Sequence, residues 1–350
     1  MSYLGNEIHE QPQILAHLLE SQAETAAQIA AAIRARDVRY AIIAARGTSD
    51  NAARYVQYLF GALNRLPVAL ATPSLFSIYR APPRMRDALV LGVSQSGQSP
   101  DIVAVVEEGR QQGALTVAVT NEPTSPLAQA ADHVLPLGAG DERAVAATKT
   151  YTAQLAALAL LAVQLADDGV RQERMAELRS VPAAVEKTLA LEEQIALVAQ
   201  RYAYATECVV LGRGYNYATA FEIALKLKEL TYIVTEPYSS ADFRHGPVAI
   251  VERGFPAIVV APLGAIYPDM LALTRELSVP EKAAELIVIS GQDEVLALAR
   301  TPLRLPVTLP EWLSPFTCIV PGQLLAMHVT LAKGYDPDRP RGLRKVTETR

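Results

Sequence analysis

Cysteine is nearly absent. The 350 residues hold two, Cys208 and Cys318, each inside an apolar run and far from the other. That excludes a disulfide framework and leaves no thiolate metal spacing; both fit buried thiols in a reducing compartment. Histidine is scarce as well, five in all, and no His, Cys, Asp and Glu cluster has metal-ligand spacing. No metal and no other cofactor is therefore expected. A basic excess is missing: 32 Lys and Arg face 37 Asp and Glu, a net charge of −5, which argues against a nucleic-acid partner. No apolar run reaches the roughly 20 residues of a membrane span. The longest, Ala153–Ala166, contains Gln154 and Gln164 and reads as a buried helix. The N-terminus, MSYLGNEIHEQ, has neither the basic region nor the apolar core of a signal peptide. The expectation is a cytoplasmic protein that binds no membrane. Half of the chain is hydrophobic and a fifth is charged, as in globular proteins, and the length suggests two domains.

The pattern along the chain alternates strand and helix. Residues 1–36 read as an amphipathic helical segment, with Ile14, Leu15, Leu18 and Leu19 on one face. Short β runs follow at Val38–Ala45, Pro67–Ala71, Ala88–Val93, Leu115–Thr120 and Val134–Leu137, and a buried helix at Thr148–Asp167. Residues 169–200 read as a charged helical linker. The order then recurs: strands at Glu207–Leu211, Ala257–Ala261, Leu286–Ser290 and Leu305–Thr308, a helix from about Asn216, and a final helix at Pro321–Lys333. Such alternation implies parallel sheets with helices on both faces. The boundaries expected are 37–168 and 201–335 for two domains and 336–350 for a basic tail. Ile42–Gly47 (IIAARG) aligns with Val209–Gly214 (VVLGRG), and Pro100–Asp101 falls near Pro268–Asp269, so the halves read as an internal repeat. Two unrelated α/β domains would show the same element order with weaker matching of the turns.

The chain reads as organised around Leu91–Asp101, LGVSQSGQSPD. A strand-like run breaks into Ser94, Gln95, Ser96, Gly97, Gln98 and Ser99, and a helix starts at Pro100. Backbone N–H groups and three hydroxyls then meet at a helix N-terminus, which suits a phosphate monoester. A Ser-rich turn with an N-cap gives the same local pattern. The second half replaces SQSGQS by APLGAI, Ala261–Ile266, and loses the hydroxyls, so one phosphate site per chain is expected.

Further along, Glu222, Lys226 and Glu229 are spaced by four and three on one helical face. A solvated, salt-bridged face would look alike. The rest of the helix is apolar, however, with Ala218, Phe221, Ile223, Leu227 and Leu230, and charges buried there need partners or a purpose. His245, in the polar stretch Glu236–Pro247, is the one histidine amid many polar groups, and imidazole suits proton transfer near neutrality.

Seven motifs in order, ARGTS at 45–49, SQSGQS at 94–99, ATKTYTAQL at 147–155, LGRG at 211–214, ALKLKEL at 224–230, RHGP at 244–247 and PRGLRK at 340–345, resemble the paired sugar isomerase (SIS) domains. The resemblance runs from about residue 8 to 345 and is nearest to the isomerase half of glucosamine-6-phosphate synthase. It implies two tandem flavodoxin-like SIS domains, α/β with parallel sheets flanked by helices. It implies that Thr48, Ser49, Ser94, Gln95, Ser96, Ser99 and Val145 contact the sugar phosphate. Glu229 resembles the acid–base that moves a proton between C1 and C2, and Lys226 its neighbour. His245 resembles a ring-opening histidine supplied by the partner subunit, which implies a homodimer with shared active sites, and Lys345 a tail lysine that closes over the open-chain carbonyl.

The chain starts almost directly in the first SIS domain, without the amidotransferase domain and its nucleophilic cysteine, and the ending VTETR differs from the synthase pattern. It therefore resembles an amino-sugar-phosphate deaminase that turns glucosamine 6-phosphate into fructose 6-phosphate and ammonia. Aldose–ketose isomerisation, ammonia-dependent synthesis and a non-catalytic sugar-phosphate sensor stay as alternatives. A sensor needs no counterpart of Glu229, and residues 1–36 are too short and too little basic for a helix-turn-helix domain.

Overall fold

The computed structural model describes residues 2–345. The chain divides into two compact units, each with its own parallel sheet. One takes Gln13–Glu142, Lys149–Ser180 and the tail from Arg344; the other takes the start of the chain to Pro12, Arg143–Thr148 and Val181–Leu343.

The former holds β1 (Tyr40–Ala44), β2 (Val68–Leu70), β3 (Ala88–Ser94), β4 (Leu115–Thr120) and β5 (His133–Pro136), in the order β2-β1-β3-β4-β5. All are parallel, with Ile43 of β1 opposite Leu91 of β3 and Val117 of β4 opposite the same residue. Every residue of β3 and β4 is buried. That is why these strands read as unbroken apolar runs: helices cover both faces. The helix Lys149–Leu165 is buried from Lys149 to Val163 and packs on Thr48–Asn64 and Ala23–Arg34.

The latter holds β6 (Glu207–Gly212), β7 (Val234–Ser239), β8 (Pro256–Val260), β9 (Glu285–Ser290) and β10 (Thr301–Arg304), in the order β7-β6-β8-β9-β10. Counted from its own first strand this is again 2-1-3-4-5, the flavodoxin-like order. The two halves are thus one topology used twice.

Three elements differ from the sequence reading. β7 lies where a polar loop is expected; it is an edge strand, so Pro237 needs no ladder partner on its outer side. The last strand is Thr301–Arg304 rather than Leu305–Thr308. The final helix begins at Ser314 and carries Pro321 inside it instead of starting there. This helix is buried from Ser314 to Met327 and forms the core of its unit, with Val181–Leu189, Glu192–Ala199 and Asn216–Thr231 packed on it. The span Glu311–Ala332 has the length and composition of a membrane helix, yet 83% of its apolar window is buried inside the protein.

Candidate active site

The serine loop is built as the sequence suggests. β3 ends at Ser94, and Ser99 stands as N-cap of the helix Pro100–Gln111. Inside the loop the hydroxyls already work: Ser94 Oγ accepts the Gly97 N–H at 3.0 Å and Ser96 Oγ accepts that of Gln98 at 3.4 Å. Gly97 has φ +63°, and a Cβ there would overlap the Ser125 hydroxyl, so the loop admits only glycine. Asn121 N–H donates to Gln95 O at 3.2 Å and Leu127 N–H to Gly97 O at 3.1 Å, which ties the loop to its neighbours. A loop pinned in this way keeps its O–H protons for an incoming anion.

β1 lies beside β3, so the turn after β1 opens on the same carboxyl edge of the sheet. There Thr48 and Ser49 start the helix Thr48–Asn64, and Ser49 Oγ accepts the Gln154 amide at 2.8 Å. Six of the expected contacts, Thr48, Ser49, Ser94, Gln95, Ser96 and Ser99, therefore share one sheet edge. A cleft of about 690 Å³ opens at the Gln95 and Ser96 part of this edge, lined also by Gln98, Asn121, Glu122 and Glu142 among others. Val145 is half-buried in the 143–148 segment, which belongs to the other unit. Replacing Ser94 and Ser96 together by alanine is expected to weaken phosphate-monoester binding at least tenfold, read by titration calorimetry. Hydrogen bonds to a charged group are worth about 1.5–3 kcal/mol each.

Comparing the halves separates scaffold from site. Arg46 Nη2 meets Asp101 at 2.7 Å between the turn after β1 and the helix after β3. Arg213 meets Asp269 at 2.9 Å between the matching turn after β6 and the helix Tyr267–Ser278. Burial disfavours the charged Asp269, but the Ser240 hydroxyl and the Arg213 and Arg244 guanidiniums outweigh it and hold its pKa below the usual carboxylate range. An ion pair repeated in a half without hydroxyls is a staple between neighbouring loops.

In the second half the loop 261–266 is filled from within. Glu311 Oε2 accepts the Ala265 N–H at 2.8 Å and Oε1 the Ile266 N–H at 3.2 Å. Gly264 leaves room for this carboxylate, which any Cβ would strike. The position expected to take an outside anion in one half holds a resident carboxylate in the other. Sequence reasoning names the lost hydroxyls and misses Glu311.

The helix Asn216–Thr231 carries the acid–base candidates. Lys226 is 1% exposed, its ammonium 2.5 Å from Glu229 Oε2 and 3.5 Å from Glu222 Oε1. Glu222 is fully buried and Glu229 is 24% exposed, so of the two carboxylates only Glu229 can be reached from outside. The alternative of a solvated face is thereby excluded. His245 follows the short helix Ser240–Arg244, is exposed, and makes no side-chain hydrogen bond or ion pair among the described residues. Lys345 reaches Glu142 Oε2 at 2.7 Å. Its unit is that of the serine loop, while Glu222, Lys226, Glu229 and His245 belong to the other. Burial pushes the Cys208 thiol up to about 12 and raises that of Cys318, so neither is a nucleophile. Among the described residues no group of His, Cys, Asp and Glu could hold a metal.

Two flavodoxin-like sheets in tandem, one carrying a hydroxyl-rich loop and the other a buried lysine–carboxylate helix, define an α/β protein built of paired sugar-isomerase-type domains. The chain belongs to the SIS domain family, whose model matches residues 36–164 and 201–333. A glutamine–fructose-6-phosphate aminotransferase (isomerizing) of Thermus thermophilus is 35% identical over 98% of this chain and 58% of its own length. The chain thus spans little more than half of the curated relatives it matches. A solved structure from Silicibacter pomeroyi, provisionally assigned as a phosphosugar isomerase, is 34% identical with a TM-score of 0.85, covering 97% of this chain and 100% of that one. The C-terminal domain of the Francisella tularensis glucosamine-fructose-6-phosphate aminotransferase is 27% identical with a TM-score of 0.87, covering 97% and 98%.

Proposed function

We propose that the protein is an amino-sugar-phosphate isomerase and deaminase, converting glucosamine 6-phosphate and water to fructose 6-phosphate and ammonia. The observation that carries this reading is the Lys226–Glu229 pair at 2.5 Å on an otherwise buried helix face, with Glu229 alone accessible. One carboxylate can remove the proton from C2 of the open-chain aldose and return it to C1. The ammonium of Lys226 offsets charge that develops during the transfer. The product of that shift is a ketose imine at C2, and water cleaves it to the ketose and ammonia. The serine loop holds the phosphate, His245 opens the ring, and Lys345 closes on the carbonyl end. No cofactor enters this scheme.

The experiment is ammonia release over a panel of hexosamine 6-phosphates, with fructose 6-phosphate measured beside it. Ketose formation from a non-amino aldose phosphate without ammonia would replace the reading by simple isomerisation, which the likeness to the Silicibacter protein favours. Amination of fructose 6-phosphate at high ammonia would show the synthetic direction.

We also propose a homodimer with shared sites, because the His245 ring has no partner within its own chain among the described residues. Mixing inactive Glu229→Gln and His245→Ala subunits should restore up to about a quarter of the activity in random heterodimers, each carrying one intact site. No restoration, with heterodimers verified by mass, removes the sharing.

A further inference from the structure

The tail lysine is held by a carboxylate that no motif singles out. Glu142 precedes the helix Lys149–Leu165 and its side chain is fully buried. Its Oε1 accepts the Thr150 N–H at 3.1 Å and its Oε2 the Thr150 hydroxyl at 2.8 Å. It therefore sits on the first turn of that helix, where unpaired N–H groups and the dipole favour negative charge. The same Oε2 takes the Lys345 ammonium at 2.7 Å. Glu142 also lines the cleft with Gln95, Ser96 and Gln98 of the serine loop. One fixed carboxylate, in a residue that lines the cleft, joins the start of a buried helix to the tail of the chain.

A helix cap alone would need Thr150 and nothing more. A casual surface pair would not have a carboxylate with 0% exposure. Lysine has a long flexible stem, and an amine that must meet one atom of a ligand loses rate when its position wanders. We propose that Glu142 is a positioning residue. It fixes the Lys345 ammonium at the cleft wall and so presents it to the carbonyl end of a sugar phosphate whose phosphate the serine loop holds. This rests on the function proposed above.

The first test needs no substrate. Trace acylation with acetic anhydride at neutral pH, followed by mass spectrometry, compares Lys345 with the exposed Lys187. In the wild type Lys345 should react about tenfold more slowly, as a charge-assisted, partly shielded amine does. In Glu142→Gln it should approach the rate of Lys187. Equal rates in the wild type, or an unchanged Lys345 rate in the variant, overturn the proposal, and the wild-type comparison stands even if the variant does not fold. The second test is kinetic. With glucosamine 6-phosphate, Glu142→Gln should lower kcat roughly 10²-fold with little change in KM. Combined with Lys345→Met it should cost nothing further, because both changes remove one interaction. Losses that multiply, together with a lower melting temperature, would make Glu142 a structural cap. No turnover of any hexosamine 6-phosphate by the wild type overturns the proposed function, and the labelling then decides the positioning by itself.

Discussion

Glu229→Gln should collapse kcat by about 10²–10⁴-fold while the dissociation constant for the sugar phosphate hardly moves, since that is the range positioned general acid–base catalysis supplies. The change is nearly isosteric. The amide can still accept a hydrogen bond from Lys226, which it keeps at the 2.5 Å contact, but it has no basicity. Solvent deuterium should enter C1 of the product with the wild type and not with the variant. Normal turnover and labelling in Glu229→Gln would make Glu229 only a partner of Lys226. Glu222→Gln is no inert control for this experiment. Glu222 is fully buried against the same ammonium at 3.5 Å, so neutralising it strips Lys226 of a second countercharge.

Lys226→Met should be the more damaging change for stability. It leaves the Glu222 carboxylate buried without its ammonium, and removing one member of a buried pair costs about 3–5 kcal/mol. Urea denaturation followed by circular dichroism should show the loss. Adding Glu222→Gln to Lys226→Met should recover much of it, since replacing both charges is far milder than orphaning one. Turnover would stay lost in both. A Lys226→Met protein as stable as the wild type would mean that Glu222 finds its compensation elsewhere on the helix.

The sheets and the serine loop were legible because their signals are local. Ala88–Val93 is apolar throughout since the strand is covered on both faces, and Ser99-Pro100 marks the helix start within two residues. β7 was not legible: Glu236 and Pro237 contradict strand propensity, and only its place at the sheet edge makes them acceptable. Pro321 reads as a helix start, as an isolated proline suggests, but burial along Ser314–Met327 overrides the preference. Of the site, the spacing of Lys226 and Glu229 is a property of one helix and can be read directly. Glu142 with Lys345 and Glu311 with Ala265 are meetings across 203 and 46 residues, and no spacing rule reaches that far.

Glu311 also bears on how the two halves respond to ligand. A protein gains stability from whatever binds its folded form, by RT ln(1 + [L]/Kd). The loop at Ala261–Ile266 is satisfied by its own chain, so the folding free energy of that half carries a constant contribution that no metabolite concentration changes. The loop at Ser94–Ser99 has its backbone shaped and its hydroxyl protons still to place, so on the function proposed above this loop should become firmer as sugar phosphate accumulates. A duplicated fold would then combine one loop whose stability is set by its own chain with a matching loop whose stability follows the supply of substrate.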